Sequence, residues 1–306
     1  MVGFASDPAW PDVWIVATTS LCLGNIRPRR SLSSSGPGRT HVPGDGQIPL
    51  KHLNGKCTCQ DIASVVTTSQ PIILNRTRLY VIGDIHGRSD LLDRMVEHIS
   101  RDLEANPTND CMTVTLGDYI DRGPVSRGVL DRLVRNPFPT DLVALKGNHE
   151  TLLQAFLNDP TVAEHWRRLG GLETLHSYGV PVSKLMMGMN YGPAATSLES
   201  TVPNEHFKFL ASLKTSIITG DYFLCHAWVR PGIPLERQSV EDLLWIRDEF
   251  LNSTVDFGKI VVHGHTPSER HEVLSNRINI DTGAFATGRL TCVVLDNGEP
   301  RFLTTA

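Results

Sequence analysis

The stretch CMTVTLGDYIDRG (residues 111–123) decides how this chain is read. Its first half is an apolar, β-branched run of strand length that stops at a glycine. Its second half sets two aspartates three apart, Asp118 and Asp121, with Arg122 directly after. Taken alone the loop has a plain reading, because Asp after Gly commonly caps its own backbone in a turn. A strand end carrying two carboxylates and a guanidinium acquires another meaning only if other strand ends repeat it.

They do. RLYVIGD (residues 78–84) reads as a buried strand ending in a turn. SDLLDRMVEHISRDLEAN (residues 89–106) follows with helical spacing of Leu91, Leu92, Met95, Val96 and Ile99, an N-cap at Ser89 or Asp90, and Pro107 to close it. After the central stretch come a helix, SRGVLDRLVRN (residues 126–136), and a strand, DLVALKGNHE (residues 141–150), with a helix beyond. Strand, helix, strand, helix, strand predicts a βαβ layered sheet. Residues 159–203 are less regular and read as a helical and loop insertion over one sheet edge. Strands return in TSIITGDYFLCHA, GKIVVHGHT, NRINIDTGA and GRLTCVVLDNGEPRFL, where Asp296-Asn297-Gly298 marks a hairpin turn. No internal repeat occurs, which excludes solenoids and propellers.

The bulk numbers fit one large domain, or a mid-sized one with an extension: 306 residues, 40% hydrophobic. Net charge is −4, from 29 basic and 33 acidic residues interspersed, which gives no reason to expect nucleic acid or an anionic membrane as partner. Of the six cysteines, Cys111, Cys225 and Cys292 sit in strand-like runs and read as core thiols. The pair at Cys57 and Cys59 lacks a second pair at zinc spacing. No disulfide framework is visible, so a reducing cytoplasm is the default location; a monomer is expected. No run approaches the ~18 apolar residues of a membrane span, and VWIVATTSLCLG (residues 13–24) makes a poor signal peptide.

Residues 1–75 differ in texture from the rest. RPRRSLSSSGPGRTHVPGDG (residues 27–46) is rich in Ser, Pro and Gly and has no apolar periodicity. Two readings stand side by side: a largely disordered extension, or an upstream stretch translated from a misassigned start. The expected division is an extension over residues 1–75 and a catalytic domain over 76–306.

Five segments share the layout of the opening stretch: VIGDIHG (81–87), GDYIDRG (117–123), GNHE (147–150), CHAWVRPG (225–232) and VVHGHT (261–266). Each is an apolar strand, a glycine near its end, then Asp, Asn or His. In open α/β sheets ligands gather at the carboxyl ends of strands, so the five point at one place. Any one of these histidines alone reads as a satisfied core residue; His86, His149, His226 and His265 in separate segments do not. Carboxylate, carboxamide and imidazole without thiolate suit manganese, iron or zinc. Asp84, His86, Asp118, Asn148, His226 and His265 are too many for one ion with an open position and suit two ions sharing a carboxylate. Two metals about 3.5–4 Å apart can generate a nucleophile at neutral pH and clamp a displacement at phosphorus. The arginines match phosphate oxygens.

GDIHG, GDYIDRG and GNHE in that order, with the later His and GHT segments, resemble the phosphoprotein phosphatase family of dinuclear metallophosphatases. LLWIRD (243–248) and NIDTGA (279–284) are similar to segments of its bacterial-type serine/threonine phosphatase branch. The resemblance implies a calcineurin-like metallophosphatase fold, a central β-sandwich flanked by helices with the site on loops at strand ends. It implies that Asp84 and His86 hold one divalent metal, that Asp118 bridges, and that Asn148, His226 and His265 complete the second. His149 is then the general acid, Asp121 its orienting partner, and Arg122 and Arg247 the phosphate ligands; metal-bridging hydroxide attacks phosphorus directly. The implied ions are two, manganese in vitro with iron or zinc as alternatives, and the implied substrate is a phosphorylated protein.

The chain departs from the family pattern in places. Trp228 stands where the family usually has glycine, and either narrows the cleft, shifts His226, or leaves the site untouched. A SAPNY-like segment is absent. His263 competes with His265, and Thr266 favours the latter. Glu150 is expected to bond the loop, and Arg230 to face solvent rather than substrate. The alternatives to a protein serine/threonine phosphatase are a symmetrical bis(5'-nucleosyl)-tetraphosphate hydrolase, a tyrosine or dual-specificity phosphatase, a metal-dependent nuclease, and a phosphate-binding module without turnover.

Overall fold

Residues 77–246, 253–296 and 298–305 are described by the structure, a computed structural model. The expectations for residues 1–75, for the cysteine pair at 57 and 59, and for Arg247 lie outside the described residues. Strands β1 (Arg78–Ile82), β2 (Cys111–Thr115) and β3 (Asp141–Ala144) run parallel, with Val81 opposite Val114 and Val114 opposite Val143. Parallel neighbours cannot be joined by a hairpin, so helices α1 (Ser89–Ala105) and α2 (Ser126–Leu133) make the crossovers. Helix α1 starts at Ser89 with Arg88 in the cap position and no side-chain cap. That corrects the expected cap: Asp90 lies inside the first turn, where it complements the helix dipole and pairs with Arg88 at 2.7 Å.

Helix α3 (Asn148–Asn158) follows β3, and the insertion is helical as expected: α4 (Ala163–Trp166), α5 (Gly171–Ser177), α6 (Ser183–Met186), α7 (Tyr191–Thr201) and α8 (Asn204–Ser212). The second half builds β4 (Ser216–Thr219), β5 (Tyr222–Cys225), α9 (Val240–Trp245), β6 (Ile260–His263), β7 (Glu272–Val273), β8 (Arg277–Asn279), α10 (Ala284–Thr287), β9 (Thr291–Leu295) and β10 (Arg301–Thr304). One five-stranded sheet has the order β10-β9-β1-β2-β3, the other β4-β5-β6-β8-β7. The expected hairpin joins β9 to β10, and its turn is fastened by Gly298 N–H donating to Asp296 Oδ1 at 3.1 Å.

The alternation of β1 explains the layering. Leu79 and Val81 face a core shared with Tyr222, Leu224, Val262 and Ile278 of the second sheet. Tyr80 and Ile82 face the helices, among Leu92, Met95, Ile99 and Leu130. Both faces of the strand are therefore buried, which is why it reads as an unbroken apolar run. The result is a β-sandwich flanked by helices. The βαβ pattern visible in the first half accounts for only one of its two sheets. No described helix is long and apolar enough to cross a membrane.

Candidate active site

The five segments that carry the candidate ligands follow parallel strands and end at one edge of the sandwich. Asp84 and His86 come after β1, Asp118 after β2, Asn148 after β3, His226 after β5 and His265 after β6. Each of these side chains is buried to 4% exposure or less. The Asp118 carboxylate lies at the centre, and its two oxygens face different partners. Oδ2 is 3.4 Å from His86 Nε2, and Oδ1 is 3.4 Å from His226 Nε2. On the second side His226 Nε2 is 2.9 Å from Asn148 Oδ1 and 3.2 Å from His265 Nδ1, and His265 Nδ1 is 3.1 Å from Asn148 Oδ1. Asp84 accepts the His265 backbone N–H at 3.1 Å.

These donor atoms have the chemistry of a cation site. His86 Nδ1 donates to the Ile120 carbonyl at 2.8 Å and His226 Nδ1 to the Leu116 carbonyl at 3.1 Å, so each Nε2 presents a lone pair inward. His86 Nε2 is buried without a hydrogen-bond partner. Burial holds both imidazoles well below their usual pKa, and neighbouring histidines add to it, which keeps them neutral. Burial also pushes the Asp84 carboxyl well above the usual carboxylate range, with the charges of Asp281 and Asp118 adding to the effect. Lone pairs and buried carboxylates crowded together are costly, and divalent cations would relieve that cost. Among the described residues two groups have the reach to hold a metal: His86, Asp118 and His149; and Asp118, His226 and His265.

His149 has a second set of partners. Its Nδ1 is 2.6 Å from Asp121 Oδ2, and Arg122 Nη2 donates to its Nε2 at 3.1 Å. Burial works against charging this ring, but the Asp118 and Asp121 carboxylates outweigh it and hold its pKa above the usual imidazole value. Asp121 itself is saturated with donors: Trp166 Nε1 at 2.6 Å on Oδ2 and Thr174 Oγ1 at 2.5 Å on Oδ1. Glu150 bonds the loop as expected, accepting the N–H groups of Tyr119 at 2.8 Å, Gly147 at 2.9 Å and Asp118 at 3.0 Å. Burial and the Asp118 charge push its carboxyl up to about 7.

Backbone strain marks the same residues. Among the described residues seven non-glycine residues have positive φ, and five of them are His86, Asp118, Asp121, Arg122 and His265. Left-handed backbone costs such residues of order 1–3 kcal/mol each, persists where the surrounding structure over-determines it, and clusters at active sites. Two glycines that the sequence presented as turn formers have another task. A Cβ on Gly147 would stand 2.1 Å from Asp118 Oδ1, and one on Gly264 would stand 2.1 Å from Asp84 Oδ1. They leave room for the carboxylates.

Three expectations about neighbouring residues resolve. Trp228 is fully buried in the core beside β5, its ring stacked on His263 at 3.8 Å, so it does not wall an open cleft. His263 is thereby turned to the core, leaving His265 beside Asn148. Arg230 keeps a side chain 42% exposed, as expected of a solvent-facing arginine, while its guanidinium pairs with Asp242 at 2.6 Å.

A family model described as calcineurin-like phosphoesterase matches residues 77–290. The chain belongs to the calcineurin-like phosphoesterase family. It is 27% identical over 222 residues to serine/threonine-protein phosphatase 2 of Escherichia coli (strain K12), covering 70% of this chain and 90% of that protein. It is 26% identical over 234 residues to the asymmetrical bis(5'-nucleosyl)-tetraphosphatase PrpE of Anoxybacillus flavithermus (strain DSM 21510 / WK1), covering 70% of this chain and 88% of that one. Among solved structures, one described as a "putative diadenosine tetraphosphatase" shares the fold, with a TM-score of 0.52 at 18% identity over 77% of this chain and 98% of that chain. The chain is thus a metallophosphoesterase, with a bacterial serine/threonine phosphatase among its relatives.

Sequence reasoning missed four residues at this phosphoesterase site. Asp281, after β8, is buried beside Asp84, and burial pushes its carboxyl up to about 6. Its signal was present, because NIDTGA repeats the layout of a strand followed by an aspartate. Trp166 and Thr174 carry no such signal, since they reach Asp121 from the insertion, 45 and 53 residues away. Phe285 lies beside Arg122 and His86 from α10 and was equally silent.

Proposed function

We propose that this phosphoesterase is a two-metal phosphomonoesterase, acting on phosphorylated serine or threonine in proteins. The observation that carries this reading is the Asp118 carboxylate, with one oxygen turned to His86 and the other to His226, each flanked by further donors. Asp84, His86 and Asp118 would hold one divalent ion, and Asp118, Asn148, His226 and His265 the other, with manganese, iron or zinc suited to these ligands. When bound, the ions supply Lewis acidity toward the phosphoryl group and a nucleophile from water at neutral pH.

The chain's own residues do the rest. Arg122 binds the phosphoryl oxygens, its fork matching two of them. In the resting arrangement Arg122 donates to His149 Nε2, so the imidazole proton sits on Nδ1 and is given to Asp121. Once Arg122 turns to the phosphoryl group, Nε2 is free to carry a proton and deliver it to the leaving oxygen. Asp121 keeps the ring oriented and stabilises its charged form, and Trp166 and Thr174 keep Asp121 in place. Arg247, beyond the described residues, is assigned as a second phosphate ligand from its place in LLWIRD alone. The substrate is a phosphoprotein, a reading supported by the similarity to serine/threonine-protein phosphatase 2; a cytoplasmic monomer belongs to the same proposal. A second reading, hydrolysis of a bis(5'-nucleosyl) tetraphosphate, draws on the similarity to PrpE.

The test compares kcat/KM on a phosphoserine peptide, a phosphotyrosine peptide and diadenosine tetraphosphate, each with manganese. Preference for the phosphoserine peptide is expected. Preference for the dinucleotide replaces the first reading with the second, and no hydrolysis of any of them, nor of p-nitrophenyl phosphate, under any divalent metal removes both.

A further inference from the structure

Arg122 is held differently from four other arginines among the described residues. Arg88 pairs with Asp90, Arg132 with Asp93, Arg230 with Asp242 and Arg301 with Asp102. Among the described residues, no carboxylate makes an ion pair with Arg122. Its guanidinium lies instead over the ring of Phe285, with Cζ 5.0 Å from the ring centroid. The same ring meets His86 edge-on, at 5.5 Å and 84°.

The difference has a physical consequence. A carboxylate partner would occupy the N–H fork of Arg122 and cancel the charge that a phosphoryl group needs. An aromatic face attracts the cation through its flat side, and the N–H donors remain in the guanidinium plane, available to an anion. The ring is also well seated. Phe285 is only partly exposed, on the short helix α10, and that helix is tied down at its start. Gly283 N–H donates to Asp281 Oδ1 at 2.9 Å, Arg88 Nη1 donates to the Ala284 carbonyl at 3.0 Å, and Thr287 Oγ1 donates to the Thr282 carbonyl at 2.8 Å. Ala284, next to Phe285, is buried.

We infer that Phe285 is a positioning residue for phosphate: its ring holds the Arg122 guanidinium at the site with no carboxylate on its N–H fork, where Nη2 donates only to His149 Nε2. This rests on the reading of Arg122 as the phosphate-binding cation. It gives the β8–β9 connection a part in the reaction that none of the metal-ligand segments performs.

The test is a double-mutant cycle read by calorimetric binding of inorganic phosphate to the manganese-loaded protein, with metal content and melting temperature checked for every variant. Phe285→Leu keeps the bulk and removes the ring; Phe285→Tyr keeps the ring. Phe285→Leu is expected to weaken phosphate binding about three- to tenfold, with metal content unchanged and Phe285→Tyr close to wild type. In an Arg122→Ala background the Phe285→Leu change should have no further effect, because the ring acts through the guanidinium. Equal weakening in the presence and absence of Arg122 overturns the inference and leaves Phe285 a packing residue against His86. Unchanged affinity in Phe285→Leu, while Arg122→Ala binds poorly, overturns it but spares the reading of Arg122. Unchanged affinity in Arg122→Ala overturns both. If Phe285→Leu does not fold, Phe285→Met takes its place in the same cycle.

Discussion

His149 shows how a single residue is assigned by its partners rather than by its motif. It is close enough to Asp118 Oδ2, at 3.7 Å, to be counted with one metal group, yet its Nδ1 is given to Asp121. His86 and His226 anchor Nδ1 on a backbone carbonyl and His265 turns Nδ1 to Asn148, whereas His149 anchors it on a carboxylate. That carboxylate favours the charged ring, which a proton donor needs and a metal ligand does not. His149→Asn is therefore expected to retain its metal and lose turnover by ~10²–10⁴-fold. Metal analysis alongside steady-state kinetics checks both halves. Loss of metal in step with activity would move His149 into the ligand set.

At the scale of elements, the strand ends do the positioning. The parallel strands β1, β2, β3, β5, β6 and β8 all deliver their following loops to one edge, and close contacts between those loops fix the carboxylates. Gly264, after β6, passes Asp84 of the β1 loop so closely that a methyl group has no room. Gly264→Ala should therefore displace Asp84, with bound metal reduced and turnover lowered at least ~10²-fold, as for a misplaced reactive group. Gly192, in α7, meets nothing within 4 Å and serves as the control: Gly192→Ala should keep full metal and gain up to about 1 kcal/mol of stability. Full metal content in Gly264→Ala would show that the loops yield more readily than their packing indicates.

At the scale of the molecule, the candidate centre joins the two sheets. Asp84, His86, Asp118 and Asn148 come from one, and His226 and His265 from the other. Ions bound there would tie the halves of the sandwich as well as serve chemistry. A ligand at about 100 times its Kd stabilises a fold by ~2.7 kcal/mol. For a domain of this size that corresponds to a melting shift of roughly 5–10 °C. Chelation followed by dialysis should lower the melting temperature by that amount, and added manganese should restore it. An unchanged melting curve would show that the buried carboxylates and imidazoles are tolerated without cations.

Much of this molecule is local, and so it is legible in the chain. Buried strands between crossover helices read as apolar runs beside helical periodicity, and the metal-competent side chains stand directly after those runs. The motifs in GDIHG, GDYIDRG and GNHE therefore identified the ligand candidates, and with them the family, before any contact was known. Tertiary structure decided what depends on long-range contact. It stacked the second sheet on the first, because pairing between β5, β6 and β8 leaves no periodic trace that says which face they cover. It set Trp166 and Thr174 on Asp121, turned His263 into the core under Trp228, and laid Phe285 against Arg122. The physical reason is the same in each case. A sequence records the spacing of side chains along one strand or helix, whereas a hydrogen bond or ring contact between segments depends on how separate elements pack.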